Sequence, residues 1–182
     1  MSWQIDSSHS QIQFTVRHMM ITNVRGTFDK FTGTVNFDEK NLAKAEIDVT
    51  VDTTSVNTKD EKRDGHLKSP DFFDVATFPV ITFKSKSITL SGDKKGKVVG
   101  DLTIKGITKE VTLETELVGV AKSPFGSTNA GFNASTKINR KDWNLGWNVA
   151  LEAGGVLVGE DVTLNIEVEM VQVPEQVATA TA

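Results

Sequence analysis

From Ser10 to His18 the chain alternates polar and apolar side chains without a break, with Ile12, Phe14 and Val16 on one parity and a histidine closing it. Side chains two apart in a strand share a face, so this stretch has one wet side and one apolar side. The alternation returns at Ala45, Ile47, Val49 and Val51, at Val111, Leu113 and Leu117, and from Val162 through Leu164, Ile166 and Val168 to Met170. A single apolar surface rolled inward accounts for all of these segments.

Breaks in the pattern predict the remaining elements. Val24, Gly26 and Phe28 keep one parity and Phe31, Gly33, Val35 and Phe37 the other, so a one-residue slip, read as a β-bulge, falls near Asp29-Lys30. Asp38 to Asn41 reads as a polar hairpin loop leading into the strand from Ala45. Between Thr53 and Pro79 the two-residue period disappears. There Thr58-Lys59-Asp60-Glu61 has capping-box spacing and predicts a short helix near 59–67, while Ser69-Pro70 predicts a second start carrying Phe72 and Phe73 in a single turn. This insertion, near 58–74, is expected to lid one barrel end. Strands resume from Val80 to Leu90, from Val98 to Ile104 and along Ala130, Phe132, Ala134, Thr136 and Ile138, with a corner at Lys105-Gly106 and a loop at Ser123 to Gly126. All four prolines fall at predicted boundaries.

The fold expected is all-β: a single antiparallel, eight-stranded, lipocalin-like barrel with one short helical insertion, whose bore is either just filled by side chains or just able to hold one small ligand. Gly26, Gly33, Ala130 and Ala134 stand at inward positions where a filled barrel would want bulk. An open apolar channel is the expectation. Residues 1–173 make the barrel domain and residues 174–182, without an aromatic anchor, a disordered tail.

Composition narrows the chemistry. Cysteine is absent, which removes disulfides, thiolate metal sites and cysteine nucleophiles. The net charge is −4, and Lys59, Lys62 and Arg63 are interleaved with Asp60, Glu61 and Asp64, a pattern unsuited to neutralising nucleic-acid phosphates. Ten Phe with no Tyr predict a dry interior. No apolar run reaches the roughly 20 residues of a membrane helix and the first residues carry no signal-peptide pattern, so a cytoplasmic protein is expected, or a periplasmic or secreted one if a leader has been removed.

Specific motifs then carry a resemblance. Trp3 to Ser10, Ile12 to Met20 and Val24 to Phe28 are similar to the opening signature of YceI-like proteins, the lipocalin-like polyisoprenoid-binding family. Arg63 to Phe73 with Phe78-Pro79 resembles its helical segment, Gly100 to Gly106 its middle strand and corner, and Asn139 to Trp143 its late loop. The resemblance spans roughly residues 3–171. It implies an antiparallel barrel around an elongated apolar pore that carries an isoprenoid, an isoprenoid quinone or another long-chain amphiphile without chemistry on it. It also implies a homodimer, and no cofactor beyond the non-covalent chain itself. Transient membrane contact is compatible with such a cargo.

The residues expected to touch the ligand are Phe14, Val16, His18, Met20, Phe28, Phe37, Ile47, Val49, Phe72, Phe83, Ile104, Phe132, Ile138, Trp147 and Ile166. His18 is read either as a contact to the ligand head group or as a strand-end histidine bonded to a loop carbonyl. His9 reads as a turn residue, the three histidines show no metal-ligand spacing, and Asp60, Glu61, Asp64 and His66 read as a solvated helix face. Trp143 and Trp147 frame a pore mouth or pack in the core; Arg17 and Arg25 have outward parity, and Arg140 is the third arginine of interest. No nucleophile elbow or phosphate loop is present. Two other readings compete: an enzyme on a hydrophobic substrate with His18 as base, which needs a carboxylate beside it, and an interaction module with an empty bore.

Overall fold

The computed structural model describes residues 2–37 and 41–173. Strand β1 (Ser2–His18) pairs on one side with β10 (Val158–Val173), and on the other with β2 (Thr22–Phe28) and β3 (Phe31–Asn36), which together form one stave. From β3 the sheet continues antiparallel through β4 (Glu46–Asp52), β6 (Val80–Ser91), β7 (Lys95–Ile104), β8 (Ile107–Lys122) and β9 (Thr128–Asn139) to β10. The β1–β10 pairing closes the ring, so eight staves make a barrel with no long free edge among the described residues. A two-residue strand, β5 (Val56–Asn57), lies beside the end of β2.

The parity changes arise differently from expectation. Asp29 and Lys30 are not a bulge inside one strand but the gap between β2 and β3, where the Asp29 N–H donates to the Ser55 carbonyl and the Lys30 carbonyl accepts from Asp52. The 3-10 turn Thr53–Ser55 fills that gap, and Phe28 and Phe31 on either side are both buried. A larger irregularity sits in β1 between Asp6 and Gln11. It turns the odd residues Trp3 and Ile5 and the even residues Ile12, Phe14 and Val16 to the same interior. The Ser10 hydroxyl fixes it, donating to the Glu169 carbonyl at 3.2 Å and accepting from the Glu169 N–H at 2.9 Å. His9 therefore lies within β1 and not in a turn. Of the loop expected at Asp38 to Asn41, positions 38–40 lie outside the described residues, as does the expected tail 174–182.

The helical insertion is present, with its start displaced. Helix α1 (Glu61–Lys68) is capped by Asp60, whose carboxylate accepts the Arg63 N–H at 3.0 Å. Thr58 bonds elsewhere, its N–H and hydroxyl both donating to Asp64 Oδ1, at 2.8 and 2.6 Å. Ser69 ends α1 instead of starting a new turn, its hydroxyl donating back to the His66 carbonyl at 2.7 Å. The turn that follows does carry Phe72 and Phe73. Lys105-Gly106 makes the expected corner, both residues at positive φ between the paired Ile104 and Ile107. Its Lys105 ammonium donates to the carbonyls of Pro70 and Asn144, which stitches the insertion to the barrel end.

Candidate functional site

The barrel encloses an elongated apolar cavity of about 670 Å³. Of the residues expected to face a ligand, Phe14, Val16, His18, Phe28, Phe37, Ile47, Val49, Phe72, Phe83, Ile104, Phe132, Ile138, Trp147 and Ile166 all line it. Met20 does not. The β1–β2 turn places Met19 and Met20 at positive φ, and Met20 stands 55% exposed outside the rim, next to the 76%-exposed Ile21. Strand parity carries Met20 inward only if the alternation extends past His18, but the chain turns at that residue, where Ile21 N–H bonds the His18 carbonyl.

The small residues act otherwise than as open space. A Cβ built on Gly26 would lie 2.3 Å from Phe14 Cζ, and one on Gly100 would lie 2.5 Å from Phe83 Cζ. Each glycine is thus the seat of an aromatic ring from the neighbouring strand. A Cβ on Gly33 would meet Ile5 at 2.6 Å, and Ala130 is buried in the cluster of Trp3, Val35, Phe37 and Met170; of the four, only Ala134 lines the cavity. The bore exists because these rings sit back against the wall, not because the glycines face a void.

At the end where β1 begins, Trp3 stacks on Phe37 with ring centroids 4.7 Å apart, and Phe132 meets Phe37 edge-on at 5.5 Å. Trp3 Nε1 is a buried polar atom with no hydrogen-bond partner among the described residues. Lys94 in the β6–β7 turn and Lys95 at the start of β7 also border the cavity.

The opposite end is closed by α1. His66, Phe72 and Trp147 make an aromatic lid, with His66 edge-on to Trp147 at 4.5 Å and to Phe72 at 5.0 Å. His66 also pairs with Asp71 at 2.9 Å. Arg63, His66 and Leu67 fall at helical spacing on the inner face of α1, so His66 belongs to the lining and not to a wholly solvated face. Arg63 is braced by Thr58, its Nε donating to the hydroxyl at 2.7 Å and its Nη2 to the carbonyl at 3.0 Å. This spacing is visible in the sequence, but only the placement of α1 over the bore gives it meaning.

Arg140 is the structural arginine. Buried at 4% exposure, it donates to the carbonyls of Gly159, Leu145, Trp147 and Val158. It thereby ties the loop carrying Trp147 to β10 around the lid. Burial pushes its guanidinium below its ordinary value, yet arginine keeps its charge at physiological pH. Trp143 is core, its indole N–H donating to the Leu102 carbonyl at 3.1 Å, whereas Trp147 faces the bore. Arg17 and Arg25 are exposed, with Arg17 bonded to Asn23 and close enough to the mouth to border the cavity.

His18 borders the same mouth and its imidazole makes no hydrogen bond or ion pair with the described residues, so the loop-carbonyl arrangement is not found. Asp60 is the acidic residue lining the cavity, and its carboxylate is held below its ordinary value by the Arg63 N–H that it caps. The three histidines lie apart, on β1 and α1. The group of described side chains with metal-ligand proximity is instead Asp6, His9 and Glu169 at the surface, where His9 Nδ1 and Asp6 Oδ2 already bond each other at 2.9 Å.

Comparison with known proteins places this geometry. The YceI-like domain family matches residues 3–170. A UPF0312 protein of Staphylococcus aureus strain N315 is 42% identical over 169 residues, covering 92% of this chain and 96% of that protein. Among solved structures, Burkholderia cenocepacia BcnA superposes with a TM-score of 0.80 at 25% identity, covering 91% of this chain and 98% of the other. A polyisoprenoid binding domain from Saccharophagus degradans, implicated in plant cell wall breakdown, shares the fold at a TM-score of 0.70 and 14% identity, over 94% of this chain and 98% of that domain.

Proposed function

The chain belongs to the YceI-like family, and from that premise we propose that it binds a long-chain amphiphile, such as a polyisoprenoid, an isoprenoid quinone or a fatty chain, and carries, stores or sequesters it unchanged. The observation that carries this reading is the lining: apolar side chains from every stave surround a cavity of about 670 Å³, within the size range of small-molecule sites. Burial of apolar surface contributes about 25 cal/mol per Å², so a chain with a few hundred Å² of surface gains several kcal/mol before ordering costs. Such binding selects by length and girth.

Binding without chemistry is supported by the residues around His18. A general base needs an orienting partner, and the acidic side chain that reaches the lining, Asp60, already caps α1. Lipid extraction of the purified protein, followed by mass spectrometry, tests the reading. A chain-like amphiphile is expected in the extract, and protein stripped of it should take up the neutral dye Nile red. Protein that yields no amphiphile and ignores the dye would overturn it.

Two finer proposals accompany this one. Exposed Met19, Met20 and Ile21 beside the lidded mouth support transient contact with a membrane during loading, and flotation with phosphatidylcholine vesicles should carry part of the protein upward. The homodimer implied by the resemblance predicts twice the chain mass in sedimentation; a monomer at all concentrations would remove it.

A further inference from the structure

The charge bordering the cavity runs against the charge of the chain. The whole protein carries −4, yet the ionised side chains lining the cavity among the described residues are the cations Arg17, Lys62, Arg63, Lys94, Lys95 and Arg140, with Asp60 as the single carboxylate. That carboxylate is engaged by the Arg63 N–H. Arg140 has its donors on four carbonyls and Arg17 donates to Asn23. The Lys62 ammonium makes no hydrogen bond or salt bridge with the described residues, although its charge and its backbone N–H help to hold the Asp60 carboxylate, and the side-chain bonds of Arg63 use Nε and Nη2 and leave Nη1 without a partner among them.

Resting on the carrier reading above, we infer that the bound amphiphile has an anionic head, a carboxylate or a phosphate, and that it lies at the lidded mouth between Lys62 and Arg63 with its chain running toward Trp3. An anion at this position meets two cations at the boundary between water and an apolar bore, where charge-assisted hydrogen bonds are stronger than neutral ones. The two lysines away from the lid offer a poorer seat. Lys94 points its ammonium toward the Val118 carbonyl, and neither Lys94 nor Lys95 has a braced guanidinium beside it as Lys62 has in Arg63. Thr58 helps by holding Arg63 in place through two bonds, which lowers the cost of ordering the guanidinium on a ligand.

The test compares heads on one chain. Delipidated protein is titrated with oleic acid and with oleyl alcohol by displacement of Nile red at about pH 8, where a carboxylic acid is ionised. Oleate should bind about tenfold more tightly than the alcohol, the scale of one charge-assisted hydrogen bond. Lys62→Gln with Arg63→Gln should abolish that preference, bringing the affinity for oleate down to that for the alcohol in the same variant. Arg63→Lys in place of Arg63→Gln should restore part of the preference, and Lys62→Gln alone should reduce it even if the Arg63 change weakens the fold. Removal of the outer-wall lysines Lys97 and Lys137 should have no effect. Farnesyl phosphate against farnesol repeats the comparison for phosphate, and a preference seen with only one pair identifies the anion. Equal affinity for head and alcohol in the native protein overturns the inference while leaving the carrier reading standing. A preference that disappears with Lys94→Gln and Lys95→Gln instead overturns its placement. Failure of every chain to bind defeats the carrier reading itself.

Discussion

Where β1 begins, the barrel interior is narrowed by close packing: Trp3 stacks on Phe37, Phe132 meets Phe37 edge-on, and Ala130 and Met170 pack against them. Further toward the lid, Val16, Val49, Phe83 and Ile166 remain only half-buried although they point inward, because their exposed faces look into the bore. The same alternating sequence pattern builds both regions. What separates them is side-chain volume and the seating of rings. At the floor, an indole and a phenyl ring fill the section. In the bore, Phe14 and Phe83 are drawn back onto Gly26 and Gly100 of adjacent strands, which keeps aromatic area on the wall and the axis clear.

The largest expected effect contrasts truncations in the two regions. Trp3→Ala should destabilise the fold by about 3–5 kcal/mol, because a tightly enclosed ring leaves a new cavity. Ile166→Ala merely widens an existing one and should stay below about 2 kcal/mol, the low end of the range for aliphatic truncation. Urea unfolding of the delipidated proteins measures both, and equal losses would erase the distinction between floor and bore. Trp3→Phe sharpens the point. It removes an indole N–H that has no partner among the described residues, whose burial costs about 1–3 kcal/mol, so the lost volume should be largely offset.

These regions differ in how far the sequence reveals them. Inward faces from Ile12 to Val16 and from Val162 to Met170 are readable because an alternation of two fixes the face once the strand is known. Met20 escapes that logic because parity says nothing about where a strand stops, and the stop is set by the turn at Met19 and Met20. Gly26 is ambiguous because a missing side chain looks the same in sequence whether it leaves a void or seats a ring from the next strand. Arg63 and His66 are hidden because charge on a short helix ordinarily means solvent, and only the docking of α1 across the barrel end turns that face inward. Thr58 points to the right helix with the wrong cap, since Asp60, two residues later, offers a carboxylate to the Arg63 N–H and frees Thr58 to bond Asp64.

A smaller effect is expected from filling the seat of a ring. Gly26→Ala puts a methyl group where Phe14 Cζ now lies, so the ring must swing off the wall toward the axis. Overpacking of this kind costs about 1–3 kcal/mol, and the displaced ring should narrow the bore. Thermal unfolding and Nile red uptake should therefore fall together in this variant. Lower stability with unchanged uptake would show that the ring moved along the wall, and that the clear axis does not depend on the glycine.

The smallest effect concerns the irregular stretch of β1 that lets floor and bore share one strand. The Asp6 carboxyl is lowered to about 2, chiefly by the Ser8 hydroxyl and then by His9, while His9 is raised above its ordinary value by its bond to Asp6. The signs of the two contributions are opposite. Stability from Asp6 is complete above its unfolded value, near 3.8, and is lost as pH falls through about 2. Stability from His9 is complete below its unfolded value, near 6.5, and is lost as pH rises through the higher folded value. The pair therefore holds the strand most firmly between these limits, and solvent screening at this exposed site keeps the gain small. NMR titration should find His9 titrating above an unfolded histidine, and Asp6→Asn should remove most of that elevation, leaving the smaller pull of Glu169. If His9 titrates normally in the native protein, the Asp6–His9 pair does not fix the irregularity, and the change of parity rests on the Ser10 bonds to Glu169 alone.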